Sequence, residues 1–131
     1  MMIASLMGAT AFQKGLGVIH SMAHPLSTVF DTHHGLANAV MMPYGLEFNK
    51  DVSAAKYKYL EKIIGTNDFI QWVRSVNASI GIPASLKAMN LDVARISQLS
   101  DLAIDDACHQ CNPKTVTRAD FEMLFKKAFE L

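Results

Sequence analysis

The sequence predicts an all-α fold of about six or seven helices. Three observations lead there. No stretch alternates apolar and polar residues with the period of a half-buried strand, and no Asn-Gly or Asp-Gly pair marks a hairpin. From residue 54 onward, apolar residues recur three and four apart, which is the spacing of an amphipathic helix. Eight methionines and seven phenylalanines among 131 residues suit a soft, well-filled helical interior.

Taken in order, residues 2 to 23 read as one helix. It is apolar all round and therefore expected to be buried, with Gly8, Gly15 and Gly17 lowering its propensity and allowing close approach. Pro25 restricts His24 and is expected to end or bend that helix, leaving a loop over 25–33. A second apolar helix spans about 36–48, kinked at Pro43, with Asn49-Lys50-Asp51 as its stop. Ser53 is placed as the cap of a helix over 54–64 and Thr66 as the cap of one over 67–80. Gly81-Ile82-Pro83 breaks the chain. Residues 85–89 form one turn, and Asp92 caps a helix over 93–104. Residues 112–114 form a loop. Thr117, with Asp120 three residues on, resembles a capping arrangement for a last helix over 118–129.

One domain of this size buries a core without staples. Half the residues are hydrophobic, 18% are charged and the formal net charge is zero, so electrostatics gives no case for nucleic acid or an anionic membrane surface. The apolar amino terminus lacks the charged start of a signal peptide. It is interrupted by Gly8, Gln13 and Lys14 well short of a membrane span. A cytoplasmic protein is expected. Cys108 and Cys111, a single Cys-x-x-Cys pair, are read as two unlinked thiols. The first helix starts without a capping residue, which suggests the tail of a longer chain.

Chemistry concentrates between residues 20 and 35, where four of the five histidines fall: His20, His24, His33 and His34. Imidazole is the commonest transition-metal ligand and the side chain that titrates nearest neutrality. His20 and His24, four apart, share one helix face. His34 follows a connection long enough to return to them. Ser21 stands where a His-Glu-x-x-His metalloprotease carries its base, so that class is set aside. Asp31 is a carboxylate ligand by residue type alone. Cys108, His109 and Cys111 lie too close in sequence for good zinc geometry.

The stretch from Gly8 through Phe12, Lys14, Gly15, Gly17, His20, His24 and Pro25, then Asp31 through His34-Gly35, Asn38 and Pro43, resembles the signature of the iron-containing (group III) alcohol dehydrogenases. Asp106-Ala-Cys108 through Asn112-Pro113-Lys114 resembles that family's last loop before its terminal helix. His33 stands where many members have proline, and Lys114 where arginine is frequent. The resemblance implies the later part of an all-helical metal-binding domain, with 1–131 as a single partial unit and a separate nucleotide-binding domain upstream. It implies His20 and His34 as two metal ligands, the remaining aspartate and histidine lying outside this chain. His24 is implied as the catalytic, non-ligating histidine beside the substrate. Phe12, Lys14 and Gly15 are implied beside the nicotinamide, and Cys108 at the substrate pocket. The implied cofactors are a divalent metal, Fe2+ or Zn2+, and NAD(P). The implied reaction is hydride transfer between NAD(P) and a small alcohol or aldehyde. The chain alone is expected to be inactive and to self-associate through apolar surface on its first helix. Two other readings stand beside this one. The chain is then a stand-alone helical metal-binding module completed by oligomerisation, or a plain helical interaction domain.

Overall fold

The computed structural model describes residues 1–130, and among these every regular element is helical. Seven α-helices follow in order: α1 (Met2–Ala11), α2 (Val18–Phe30), α3 (His34–Phe48), α4 (Lys50–Ile64), α5 (Phe69–Ser79), α6 (Ile96–Asp105) and α7 (Arg118–Glu130). Short 3-10 turns at Phe12–Lys14, Lys87–Met89, Val93–Arg95 and Ala107–Cys111 join them. The predicted fold class holds.

The core lies where α2 packs on α3 and α6, and where α7 closes against α6 and α3. Val18, Met22 and Leu26 of α2 meet Ala37, Val40 and Met41 of α3, Leu99 and Ala103 of α6, and Phe121 and Phe125 of α7. Gly45 permits the α2–α3 crossing: a Cβ there would run into the side chains of Ile19 and Val18. A second lock sits at the far end of α3. Asn112 Oδ1 accepts from Val18 N and Asn49 Nδ2, and Asn112 Nδ2 donates to Asn49 Oδ1 and the Lys114 carbonyl. One loop side chain therefore ties the start of α2 to the α3–α4 junction.

Several boundaries differ from the sequence reading. Residues 2–23 are two helices, not one. The chain breaks at Gly15, whose φ of +91° lies where side chains are strained, and at Gly17, which is extended; α1 and α2 are bent by 103°. The apolar density of α1 does not signal burial within this chain. None of its residues is buried, and Met2, Ile3, Leu6 and Met7 are all exposed. Taken singly, no helix among the described residues is long and apolar enough to cross a membrane.

Pro25 sits inside α2 and does not end it. Proline removes one backbone donor, but Met22, Ala23 and Leu26, all fully buried, hold the turns on both sides of it. The connection to α3 is thus only residues 31–33, with Asp31 in the left-handed region at φ 53°. α4 begins at Lys50, so Ser53 is a buried residue within the helix and not its cap. Asp68, not Thr66, caps α5, its side chain accepting from Gln71 N at 2.9 Å. The Asp92 cap and the Thr117–Asp120 pair form as the sequence indicated.

Candidate functional site

The three-residue link between α2 and α3 folds the histidines onto one another. His20 and His24 project from one face of α2, one turn apart, and His34 opens α3. The ring centroids of His20 and His34 are 5.4 Å apart, those of His24 and His34 5.2 Å, and those of His20 and His24 5.9 Å. His24 and His34 are nearly parallel at 20°. Phe12 abuts His20 edge-on at 6.4 Å. His33 is exposed and has no part in these ring contacts; Asp31 is likewise exposed.

Behind His24 stands a residue that the sequence reading did not assign. Asp106, at the end of α6, brings Oδ2 to 2.7 Å from His24 Nδ1. Its other oxygen accepts from the buried Ser21 hydroxyl and from the Cys108 amide, both at 2.8 Å. Burial alone would push this carboxyl up. The hydrogen bonds from His24, Ser21 and Cys108 outweigh it and hold the carboxyl well below the usual carboxylate range. An ionised carboxylate only accepts, so His24 Nδ1 carries a proton, and the neutral tautomer this contact selects is the one with its lone pair on Nε2. The available signal was position. Asp106 lies two residues before Cys108, and Ser21 one after His20.

Burial lowers the His20 pKa, and the neighbouring His34 and His24 lower it further, against a smaller opposing pull from Asp106. His20 is therefore neutral near pH 7, the form that donates to a metal. Two imidazoles bound tetrahedrally to one cation, with metal–nitrogen distances of about 2 Å, hold their centroids about 5 Å apart. The His20–His34 and His24–His34 centroid spacings both fit that arrangement. His34 Nε2 lies 3.0 Å from Asn38 Nδ2, and Asn38 Oδ1 is buried without a partner. Cation binding through His34 Nε2 accordingly goes with a turn of the ring or of that amide.

An open cleft of about 430 Å3 runs beside His20, bordered by Gly15, Gly17, Asn38, Cys111 and Asn112. Gly15 is pressed against Cys111, whose Cβ would lie 2.7 Å from any Cβ at position 15. Lys14 and Phe12 are exposed on the same turn. Cys108 is half-buried. Burial, its hydrogen bond to Asp106 and the charge of that carboxylate push its thiol up to about 11. Donor atoms of His24, Asp106 and Cys108 fall within 4.8 Å of one another. Within this trio Asp106 accepts from His24 and from the Cys108 amide, so the three residues form a hydrogen-bonded group. His109 points inward, Nε2 3.0 Å from the Ile104 carbonyl, so it does not join the cysteines in a zinc site.

A larger groove of about 500 Å3, lined by Tyr44, Phe48, Arg74, Lys114 and Met123 among others, contains none of the histidines.

An all-helical domain that gathers three imidazoles from two helices, one of them beside a cleft and another backed by an ionised carboxylate, defines a class of helical domain with a candidate metal centre. The chain belongs to the iron-containing alcohol dehydrogenase family: the model of the Fe-containing alcohol dehydrogenase family, C-terminal, matches residues 1–129. It is 32% identical over 126 residues to lactaldehyde reductase of Escherichia coli K12, covering 88% of this chain and 33% of that protein. It is 34% identical over 140 residues to 4-hydroxybutyrate dehydrogenase of Cupriavidus necator, covering 98% and 37%. Its fold superposes on a crystal structure of 1,3-propanediol oxidoreductase with a TM-score of 0.82 at 26% identity, over 87% of this chain and 33% of the other. The match to an alcohol dehydrogenase from Oenococcus oeni has a TM-score of 0.80 at 27% identity, over 86% and 32%. The chain spans about a third of the length of these relatives.

Proposed function

We propose that this chain is the metal-binding helical part of an NAD(P)-dependent dehydrogenase acting on a small alcohol or aldehyde. The observation that carries this reading is the placement of His20 and His34, donated by separate helices, with centroids 5.4 Å apart. His24 sits against both, and its Nδ1 is committed to Asp106.

His20 and His34 hold a divalent metal, iron or zinc, together with ligands from outside this chain, since two imidazoles are fewer than such sites require. When bound, the metal supplies Lewis acidity that lowers the pKa of the alcohol. A bound nicotinamide would supply the hydride chemistry. His24, kept off the metal, would take the alcohol proton at Nε2 on oxidation and return it in the reverse direction. Phe12, Lys14 and Gly15 border the nicotinamide end of the cleft, where Gly15 lets the chain run close to Cys111. Cys108 borders the substrate as a neutral thiol. A nucleotide-binding domain is the required partner, and the cytoplasm the expected compartment. Without that domain the chain is inactive and self-associates through the exposed residues of α1.

The test supplies the nucleotide-binding part, either from upstream sequence of the same gene or from the lactaldehyde reductase relative. NAD(P)H oxidation with short aldehydes is expected only with added Fe2+ or Zn2+, and is expected to be lost in His20→Ala and His34→Ala. Undiminished turnover in both variants would overturn the reading.

A further inference from the structure

We infer that Asp106 is the positioning residue of the reaction, and that Ser21 and the Cys108 amide orient Asp106 for that task. The inference rests on the proton-relay role given to His24 above and adds the device that makes His24 competent. A neutral imidazole has two tautomers, and only the one with its lone pair facing the substrate accepts a proton there. In water the Nε2–H form is ordinarily favoured, which is the wrong one for a ring that is to receive a proton at Nε2, the nitrogen that Asp106 leaves free. Asp106 reverses that preference, since Oδ2 stands 2.7 Å from Nδ1 and can only accept.

The carboxylate cannot rotate away from this duty. Oδ1 is held by two donors at 2.8 Å, the Ser21 hydroxyl from α2 and the Cys108 amide from the following 3-10 turn. Ser21 is fully buried and lies on the same helix as His24, three residues earlier. The two side chains therefore grip the two oxygens of one carboxylate from one rigid element. The remaining edge of the His24 ring is left partly open, with 39% of its side chain exposed.

This grip predicts what an isosteric amide does. In Asp106→Asn, the amide oxygen stays with Ser21 and Cys108, which both donate. The amide nitrogen must then face His24 Nδ1 and donate to it. His24 is driven to the Nε2–H tautomer, and its lone pair moves to Nδ1, on the side of residue 106. Where a carboxylate orients a catalytic imidazole in other enzymes, the same exchange preserves the geometry and lowers kcat by about 10⁴-fold through the wrong tautomer.

The experiment labels the full chain with 15N-histidine and reads the His24 ring nitrogens at a pH where the imidazole is neutral. The wild type should show Nδ1 protonated and Nε2 bare, Asp106→Asn the reverse, and Ser21→Ala the wild-type pattern, because Oδ2 remains. A wild-type His24 found as Nε2–H overturns the inference, even if Asp106→Asn does not fold. An unchanged tautomer in a folded Asp106→Asn overturns it as well. In the enzyme joined to its nucleotide-binding part, Asp106→Asn should lower kcat by about 10²–10⁴-fold with KM changed less than about threefold. Reversal of the tautomer with kcat unchanged would sustain the positioning of His24 and instead overturn its relay role in the proposed function.

Discussion

Asn49 and Asn112 exchange a reciprocal pair of side-chain hydrogen bonds at 2.9 and 2.8 Å, and Asn112 also caps the first turn of α2 through Val18 N. Asn49 is buried, so removing its partner strands an amide and frees the loop that follows Cys111. Asn112→Ala should cost about 1–3 kcal/mol, the usual penalty for an orphaned buried polar group. Urea denaturation checks this. A midpoint equal to that of the wild type would contradict the lock.

Gly45 spaces α2 from α3 and thereby spaces His20 from His34. A Cβ there meets Ile19 and Val18, so Gly45→Ala overpacks the crossing by about 1–3 kcal/mol. In the enzyme joined to its nucleotide-binding part, the same change should weaken Co2+ binding, read from its visible absorption, because the two rings ride on the two displaced helices. Lost stability with unaltered Co2+ affinity would separate the crossing from the site.

Acid should loosen the α2–α6 contact through Asp106. Its folded pKa lies below the ordinary value of about 3.9. The stabilisation it brings is therefore complete above that value and is lost as pH falls through and below it. Asp106→Asn should be less stable than wild type near pH 6, and the gap should narrow progressively as pH falls below about 4. Thermal melts across that range give the comparison, and a gap constant with pH would refute the assignment.

The two cysteines should react unequally. Cys111 is exposed, whereas the Cys108 thiol is half-buried and pushed up to about 11, leaving on the order of one thiolate in a thousand at pH 8. Iodoacetamide at that pH should label Cys111 first, with Cys108 following only on unfolding. Peptide mass mapping reads the order.

Caps were legible in part: Asp92 and the Thr117–Asp120 pair form as read, whereas Ser53 lies inside α4 and Asp68 takes the place expected of Thr66. The pairing of His20 and His24 was legible from helical spacing, while His34 joins them through a link of residues 31–33 and not through the loop expected over 25–33. Other features depend on distant partners. Nothing near Pro25 in the sequence reports that Met22 and Leu26 are buried in the core that α2 shares with α3 and α6, which is what carries α2 past the proline. Nothing in the composition of α1 distinguishes a face covered within the chain from one left open. Asp106 is 82 residues from His24, and a carboxylate that acts through another side chain leaves no periodic trace.

The short link at residues 31–33 has an evolutionary corollary. Each residue of an α-helix advances the direction of its side chains by about 100°. One inserted or deleted residue within α2 after His20 would swing the downstream imidazoles out of alignment, and the tight turn at Asp31 offers no slack to absorb the error. Working relatives should therefore tolerate exchanges of side chain between positions 20 and 34 far better than any gap, and a homologue with an altered count there should have abandoned the chemistry.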